Sequence, residues 1–156
     1  MSDDNKFLRD AIEIASSGIS NGGGPFGAVI SKEGRKIAGS NNRVVLNTDP
    51  TAHAEILAIR EAARLLETHD LTGCVLYTSC EPCPMCLGAI YWSGIKRVIY
   101  ASGRHDAAAS GFDDEFIYKE ISLDPSMRQV TFIHMDDHEG ADVFRKWDKY
   151  DGKIPY

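Results

Sequence analysis

Two short stretches of this chain have to meet in space. In "SCEPCPMC", Cys80, Cys83 and Cys86 stand close together with Pro82 and Pro84 between them, and well upstream lies "TAHAE", which carries His53 and Glu55. Residues two positions apart on a regular helix point about 200° apart around its axis, so His53 and Glu55 cannot share a lateral face. They can share a site beyond the helix N-terminus, because side chains lean toward that end and the first-turn groups are unencumbered. Cys83 and Cys86 repeat the arrangement: Pro84 suits the opening position of a second helix, which Gly94 closes. Any fold for this chain must therefore bring two helix N-termini to one point.

Three chemistries suit clustered cysteines: a disulfide, a redox pair, or a metal site. The N-terminal "MSDDNKFLRD" is charged and has no apolar leader core, and no run approaches the roughly 20 apolar residues of a membrane span. The expectation is a soluble, cytoplasmic protein with no membrane partner, where cysteines serve as ligands or catalysts more often than as structural disulfides. Two converging helix N-termini supply partial positive charge, which favours thiolates. One imidazole (His53) and two thiolates (Cys83, Cys86) form a three-ligand zinc set whose open fourth position takes water, as in catalytic sites. A water so bound is acidified to a pKa of roughly 7. Glu55 is then a carboxylate beside the metal but not needed as a ligand, and its natural role is moving protons. A thioredoxin-like use of "CPMC" is the competing reading. An all-thiol site that includes Cys80 is another, but it would leave His53 and Glu55 without a role. Cys74 reads as a packed thiol and Cys80 as a structural neighbour of the metal loop.

The charge balance bears on partners. Lys and Arg number 17 against 23 Asp and Glu, a net charge of −6, and no basic block concentrates the positive groups. A groove that follows a nucleic-acid backbone would need one. A small, neutral substrate fits better than a polymer.

With 156 residues, 43% of them hydrophobic, the chain has the size of one domain, residues 1–156, with a core of its own. Phe7, Ala11, Ile14 and Ala15 form a helical stripe that "NGGG" ends. "PFGAVIS" and "RKIAGSNNRVV" read as strands joined at the turn "KEG". "TDPTAHAEILAIREAARLL" reads as a long helix with Asp49 as N-cap and Pro50 at its first position. "GCVLYTS", "KRVIYAS" and "RQVTFIHM" complete five strands, and "ADVFRKWDKY" a terminal helix. Alternating strands and helices point to a layered α/β domain on a largely five-stranded sheet.

At "PTAHAE" and "TSCEPCPMCLGAIYW" the chain resembles the cytidine and deoxycytidylate deaminase superfamily, whose His-x-Glu and Pro-Cys-x-x-Cys motifs hold the zinc of nucleobase deaminases. The likeness runs nearly end to end through "GGPFGAVI", "NNRV" and "DPTAHAEILAIREA". "FDDEFIYKEI" and the aromatic C-terminus are similar to the guanine-acting branch. The resemblance implies a three-layer α/β/α sandwich around a mixed five-stranded sheet and one Zn2+ per subunit on His53, Cys83 and Cys86. It also implies hydrolysis of guanine to xanthine and ammonia, with Glu55 as proton shuttle and Asp114 touching the substrate and assisting it. Phe26 and Asn42 would stack on and hydrogen-bond the purine, and Trp92 would line the pocket. Tyr156 would close the active site of the neighbouring subunit in a domain-swapped homodimer, although Pro155 restricts the residue before it. From the residues alone, Phe26 reads equally as core, Asn42 as a strand-end turn, Trp92 as packing and Asp114 as a cap or a solvated acid. Alternative functions are deamination of a nucleoside (guanosine or cytidine), deamination of tRNA adenosine, and a non-enzymatic zinc module.

Overall fold

The computed structural model describes residues 3–135 and 138–155. The chain groups into two compact units, Met1–Glu115 and Phe116–Tyr156. In the first unit the order is α1 (Asp3–Ser20), β1 (Gly24–Lys32), β2 (Arg35–Asn42), a single turn α2 (Val44–Asn47), α3 (Ala54–Leu66), β3 (Cys74–Cys80), α4 (Pro84–Trp92), β4 (Arg97–Ser102) and α5 (Arg104–Ala109). The strands form one sheet in the order β2-β1-β3-β4. Its β1 pairs are antiparallel, and β3 runs parallel to β4 across α4, so the sheet is mixed.

Alternation along the strands divides the core in two. Val29 and Tyr77 face α1, where they meet Phe7 and Ala11. Their neighbours Ala28, Ile30 and Leu76 face the other way, toward Ala54, Ala58 and Ala62 of α3 and Ile90 of α4. The first unit is thus a three-layer α/β/α arrangement. Three alanines at i, i+4 spacing give α3 a smooth face that seats its backbone close to the sheet. The β1–β2 hairpin closes on Glu33 and Gly34, both at positive φ (50° and 72°), as a two-residue turn of the primed type requires. At the other edge, Arg97 and the Tyr77 hydroxyl both donate to the Asp4 carboxylate, which ties the start of α1 to β3 and β4.

Three expectations from the sequence need correction. The sheet has four strands rather than five among the described residues. The segment 128–135, read as the fifth, forms none: its Gln129 N–H is held by the Glu120 carboxylate and the Arg128 guanidinium by the carbonyls of Ile121 and Leu123. An apolar run becomes a strand only where a ladder partner exists, and period alone cannot supply one. The long helix does not start at Asp49. That carboxylate accepts from both N–H and Oγ1 of Thr51 in a tight turn, and α3 opens at Ala54 with His53 as its N-cap. Asp-Pro serves turns as readily as helix starts. The second hairpin strand likewise ends at Asn42, before the α2 turn.

The second unit holds α6 (Glu115–Ser122), which begins one residue before it, a 3-10 turn at Pro125–Met127 capped by Asp124, and α7 (His138–Asp148). None of its described residues is fully buried. No described helix is long and apolar enough to cross a membrane.

At Gly27 strand β1 lies close under α1, so that an added Cβ would run into the Ala11 carbonyl oxygen and the Ala15 nitrogen. Gly27→Ala should therefore lower unfolding stability by roughly 1–3 kcal/mol, because the backbone on both sides would have to shift. Denaturant melts of both proteins check this.

Candidate metal centre

Both helix openings use an extended residue as N-cap. His53 (φ −67°, ψ 153°) presents its carbonyl to the Leu57 N–H, and Cys83 (φ −68°, ψ 169°) presents its own to Leu87. Their backbones start the helices while their side chains make no cap bond and are available elsewhere. Strand β3 ends at Cys80 and leads into Pro82 and Cys83, and Pro84 occupies the first turn of α4. Cys86, one turn on, is fully buried.

His53 Nδ1 lies 3.5 Å from Cys83 Sγ and 3.6 Å from Cys86 Sγ. All three donor atoms fall within 4.8 Å of one another. Zinc bonds of about 2.3 Å to sulfur and 2.0–2.1 Å to nitrogen, at a tetrahedral angle, place N and S about 3.5–3.6 Å apart. The donors present therefore fit zinc in type, number and spacing.

Charge at the site has the same sense. The Cys86 thiol donates to Cys83 and, with His53, holds the Cys83 thiol down to about 4. Cys86 is driven strongly the other way, first by the Cys83 thiolate and then by burial. The protein alone favours one thiolate of the two, and a divalent cation is the partner that lets both ionise. The bond to Cys83 also raises the His53 imidazole.

Glu55, on the first turn of α3, is 5% exposed and stands outside the donor group. Burial pushes its carboxyl above the usual range. Thr78 Oγ1 of β3 donates to its Oε1 at 3.5 Å.

His53, Cys83 and Glu55 line a cavity of about 460 Å³ within the first unit. Phe26, Asn42, His53, Glu55, Cys83 and Asp114 all face it. Phe26 packs edge-on against Phe112, with ring centroids 4.9 Å apart. Asn42 is buried, and its Oδ1 accepts from Val44 N–H at 3.2 Å, which sets the orientation of the amide. So the strand-end turn and the pocket position coexist in one residue. Burial, then the nearby Cys83 charge, raises the Asp114 carboxyl.

One of the residues expected here lies elsewhere. Trp92 ends α4 with 71% of its surface exposed and is not among the residues around this cavity. Tyr156 lies outside the described residues. Cys74 is packed in the core, and Cys80 donates to the Gly103 carbonyl at 3.7 Å; neither joins the donor group, and burial raises both thiols. Arg104, Glu81 and Phe112 also line the cavity and were not anticipated. Phe112 adjoins the "DD" of "GFDDEF" and was within reach of sequence reasoning. Arg104 was not, since only the turn from β4 into α5 brings it round.

Residues 1–102 match the model of the cytidine and deoxycytidylate deaminase zinc-binding region. A guanine deaminase of Bacillus subtilis (strain 168) is 50% identical over 151 residues, covering 96% of this chain and 97% of that one. A tRNA-specific adenosine deaminase of Aquifex aeolicus (strain VF5) is 44% identical over 109 residues, 69% of this chain and 72% of that one. Among solved structures, the X-ray structure of guanine deaminase from Bacillus subtilis superposes with a TM-score of 0.95 at 49% identity, covering 97% of this chain and 98% of that one. A guanine deaminase from Nitrosomonas europaea superposes with a TM-score of 0.67 at 40% identity, covering 69% and 63%.

His53→Ala, Cys83→Ser and Cys86→Ser should each reduce bound zinc from one per chain to a small fraction, whereas Cys74→Ser and Cys80→Ser should keep it. Elemental analysis of the purified proteins reads the difference, and metal loss in either of the last two would redraw the donor set.

Proposed function

The chain belongs to the cytidine and deoxycytidylate deaminase zinc-binding family, and from that premise we propose that it hydrolyses guanine to xanthine and ammonia. The observation that carries the reading is a three-donor metal group beside a buried carboxylate, Glu55, that is not itself a donor. A structural zinc site is closed by four protein ligands and has no use for such a group. Similarity to a guanine deaminase over nearly the whole of both chains supplies the substrate.

His53, Cys83 and Cys86 would hold zinc, which when bound would acidify water and so furnish the nucleophile at neutral pH. The rest of the chemistry belongs to the chain. Glu55 takes a proton from the attacking water and passes it to a ring nitrogen, which makes C2 of guanine more electrophilic. The water oxygen bonds to C2; Glu55 then takes the remaining proton from that hydroxyl and delivers it to the amine, the C–N bond breaks, ammonia leaves and C2 is left as a carbonyl. Burial suits Glu55 to this work, since a carboxyl raised toward neutrality both accepts and releases protons readily. Asp114, itself raised by burial, contacts the substrate amidine and assists transfer to the amine. Phe26 stacks on the purine and Asn42 hydrogen-bonds its edge. The cavity is roomier than one base needs and requires a cover that excludes bulk water.

That cover is drawn from a second copy. Residues 1–156 form one deaminase domain, and in a homodimer the C-terminal segment to Tyr156 closes the neighbouring site, with Trp92 at the same boundary. In support, Tyr91 and Trp92 on α4, and Phe132, Ile133, Val143 and Phe144 in the second unit, all expose more than half of their surface. A unit of that length with no buried residue among those described needs an external apolar partner. Four free cysteines fit a cytoplasmic setting.

Ammonia release from guanine, guanosine, cytosine, cytidine and adenine tests the substrate. Guanine should dominate; a nucleoside turned over faster would replace it. Tight, steeply salt-dependent tRNA binding would instead favour the activity named for the Aquifex relative. Glu55→Gln should keep its zinc yet lose at least about 100-fold in kcat. Sedimentation should give a dimer, and a monomer at micromolar concentration would remove the second copy from the site.

A further inference from the structure

Strand β3 sends Cys74, Leu76, Thr78 and Cys80 toward the α3–α4 layer. Cys74 and Leu76 belong to the apolar cluster there. Thr78 is the next in the row, 1% exposed, paired with Ala28 on one side and Tyr100 on the other. A β-branched residue is well suited to this place, and by the pattern of the row it would be valine. A hydroxyl in that position loses its hydration and needs a partner. Its partner is Oε1 of Glu55.

We propose that Thr78 is a positioning residue for the proton transfers assigned to Glu55: its hydroxyl, fixed by the sheet, holds the carboxylate at Oε1 and so sets its orientation in the cavity. The inference rests on the function proposed above and concerns how the same site is set. Glu55 sits on the first turn of α3, with several rotatable bonds between backbone and carboxylate. Thr78 sits on a strand paired on both sides, with a single stiff χ1. The sheet is therefore the rigid reference and the glutamate the part being aimed. Proton transfer between water, ring nitrogen and amine falls off steeply when the carrier is misplaced by an ångström or less. The 3.5 Å separation exceeds the 2.7–2.8 Å typical of O–H···O bonds, and bonds of this kind shorten when a substrate engages the acceptor.

Structural and positioning roles predict opposite signs. Were Thr78 there for stability, losing the hydroxyl would harm the fold and the metal site together. As a positioning group in an apolar row, it holds a place where valine would be at least as stable. The test compares Thr78→Val, Thr78→Ser and Glu55→Gln in the zinc-loaded protein, reading kcat and KM for guanine, zinc per chain and Tm. For Thr78→Val the expected result is kcat lower by roughly ten- to a hundredfold, as for loss of a hydrogen bond to a charged group. KM should stay within about twofold, with zinc at one per chain and Tm equal or higher. Thr78→Ser keeps the hydroxyl and should recover most of the rate. Adding Thr78→Val to Glu55→Gln should cost little more, since both changes act through one group.

A wild-type kcat in Thr78→Val overturns the inference. So does a loss of zinc or Tm that tracks the loss of rate, or a serine variant as impaired as the valine one. If guanine is not the substrate, the functional reading fails while the ratio of Thr78→Val to wild type on whichever amine is turned over still decides the role of Thr78. A protein inert toward every amine would overturn both.

Discussion

Everything at this site depends on two N-caps facing each other. His53 and Cys83 have nearly the same extended backbone, each begins a helix with its carbonyl, and each is thereby relieved of its side chain for other use. Ordinary N-caps spend the side chain on the first N–H groups of the helix. Here neither does, and the two side chains meet 3.5 Å apart instead. The helix dipoles add their positive ends at the same place, which favours the anionic thiolates.

That meeting needs a particular sheet. Helix α3 rests on β1 and β2 through its alanines, and α4 is the crossover between the parallel neighbours β3 and β4, so both helices occupy one face. Helix α1 fills the other face, pressed onto β1 at Gly27, and holds the sheet from behind. The arrangement has an electrostatic cost that the metal offsets. Two thiols, a carboxylate and an imidazole are confined together; without a cation one thiol is acidified while the other thiol and the carboxyl are driven upward. Such opposed shifts within a few ångströms mark a site arranged for chemistry rather than for stability.

Thr78 carries the same lesson to the layer beneath. A hydroxyl stands in a row of apolar side chains, and it is aimed at Glu55, a buried carboxylate outside the metal-donor group. Thr78 departs from the local pattern beside Glu55, as expected where function overrides packing.

Much of this was legible from residue order. His-x-Glu and Pro-Cys-x-x-Cys identified the donors because metal ligation demands particular atoms, and Pro84 marked a helix start because its geometry permits little else. Periodicity located α1, the core of α3 and the hairpin, each of which depends on contacts close in sequence. What residue order could not decide were the choices that depend on distant partners. Asp49-Pro50 closed a turn rather than opening α3, and the run at 128–135 had no ladder to join. Arg104 and Phe112 reached the cavity only after β4 had been laid beside β3, and Trp92 ends α4 exposed. The sequence by itself determined which atoms could bind a metal and move a proton, since that chemistry resides in side chains. Only tertiary structure decided the distances between them and which carboxylate oxygen Thr78 would hold, because those follow from how the layers pack.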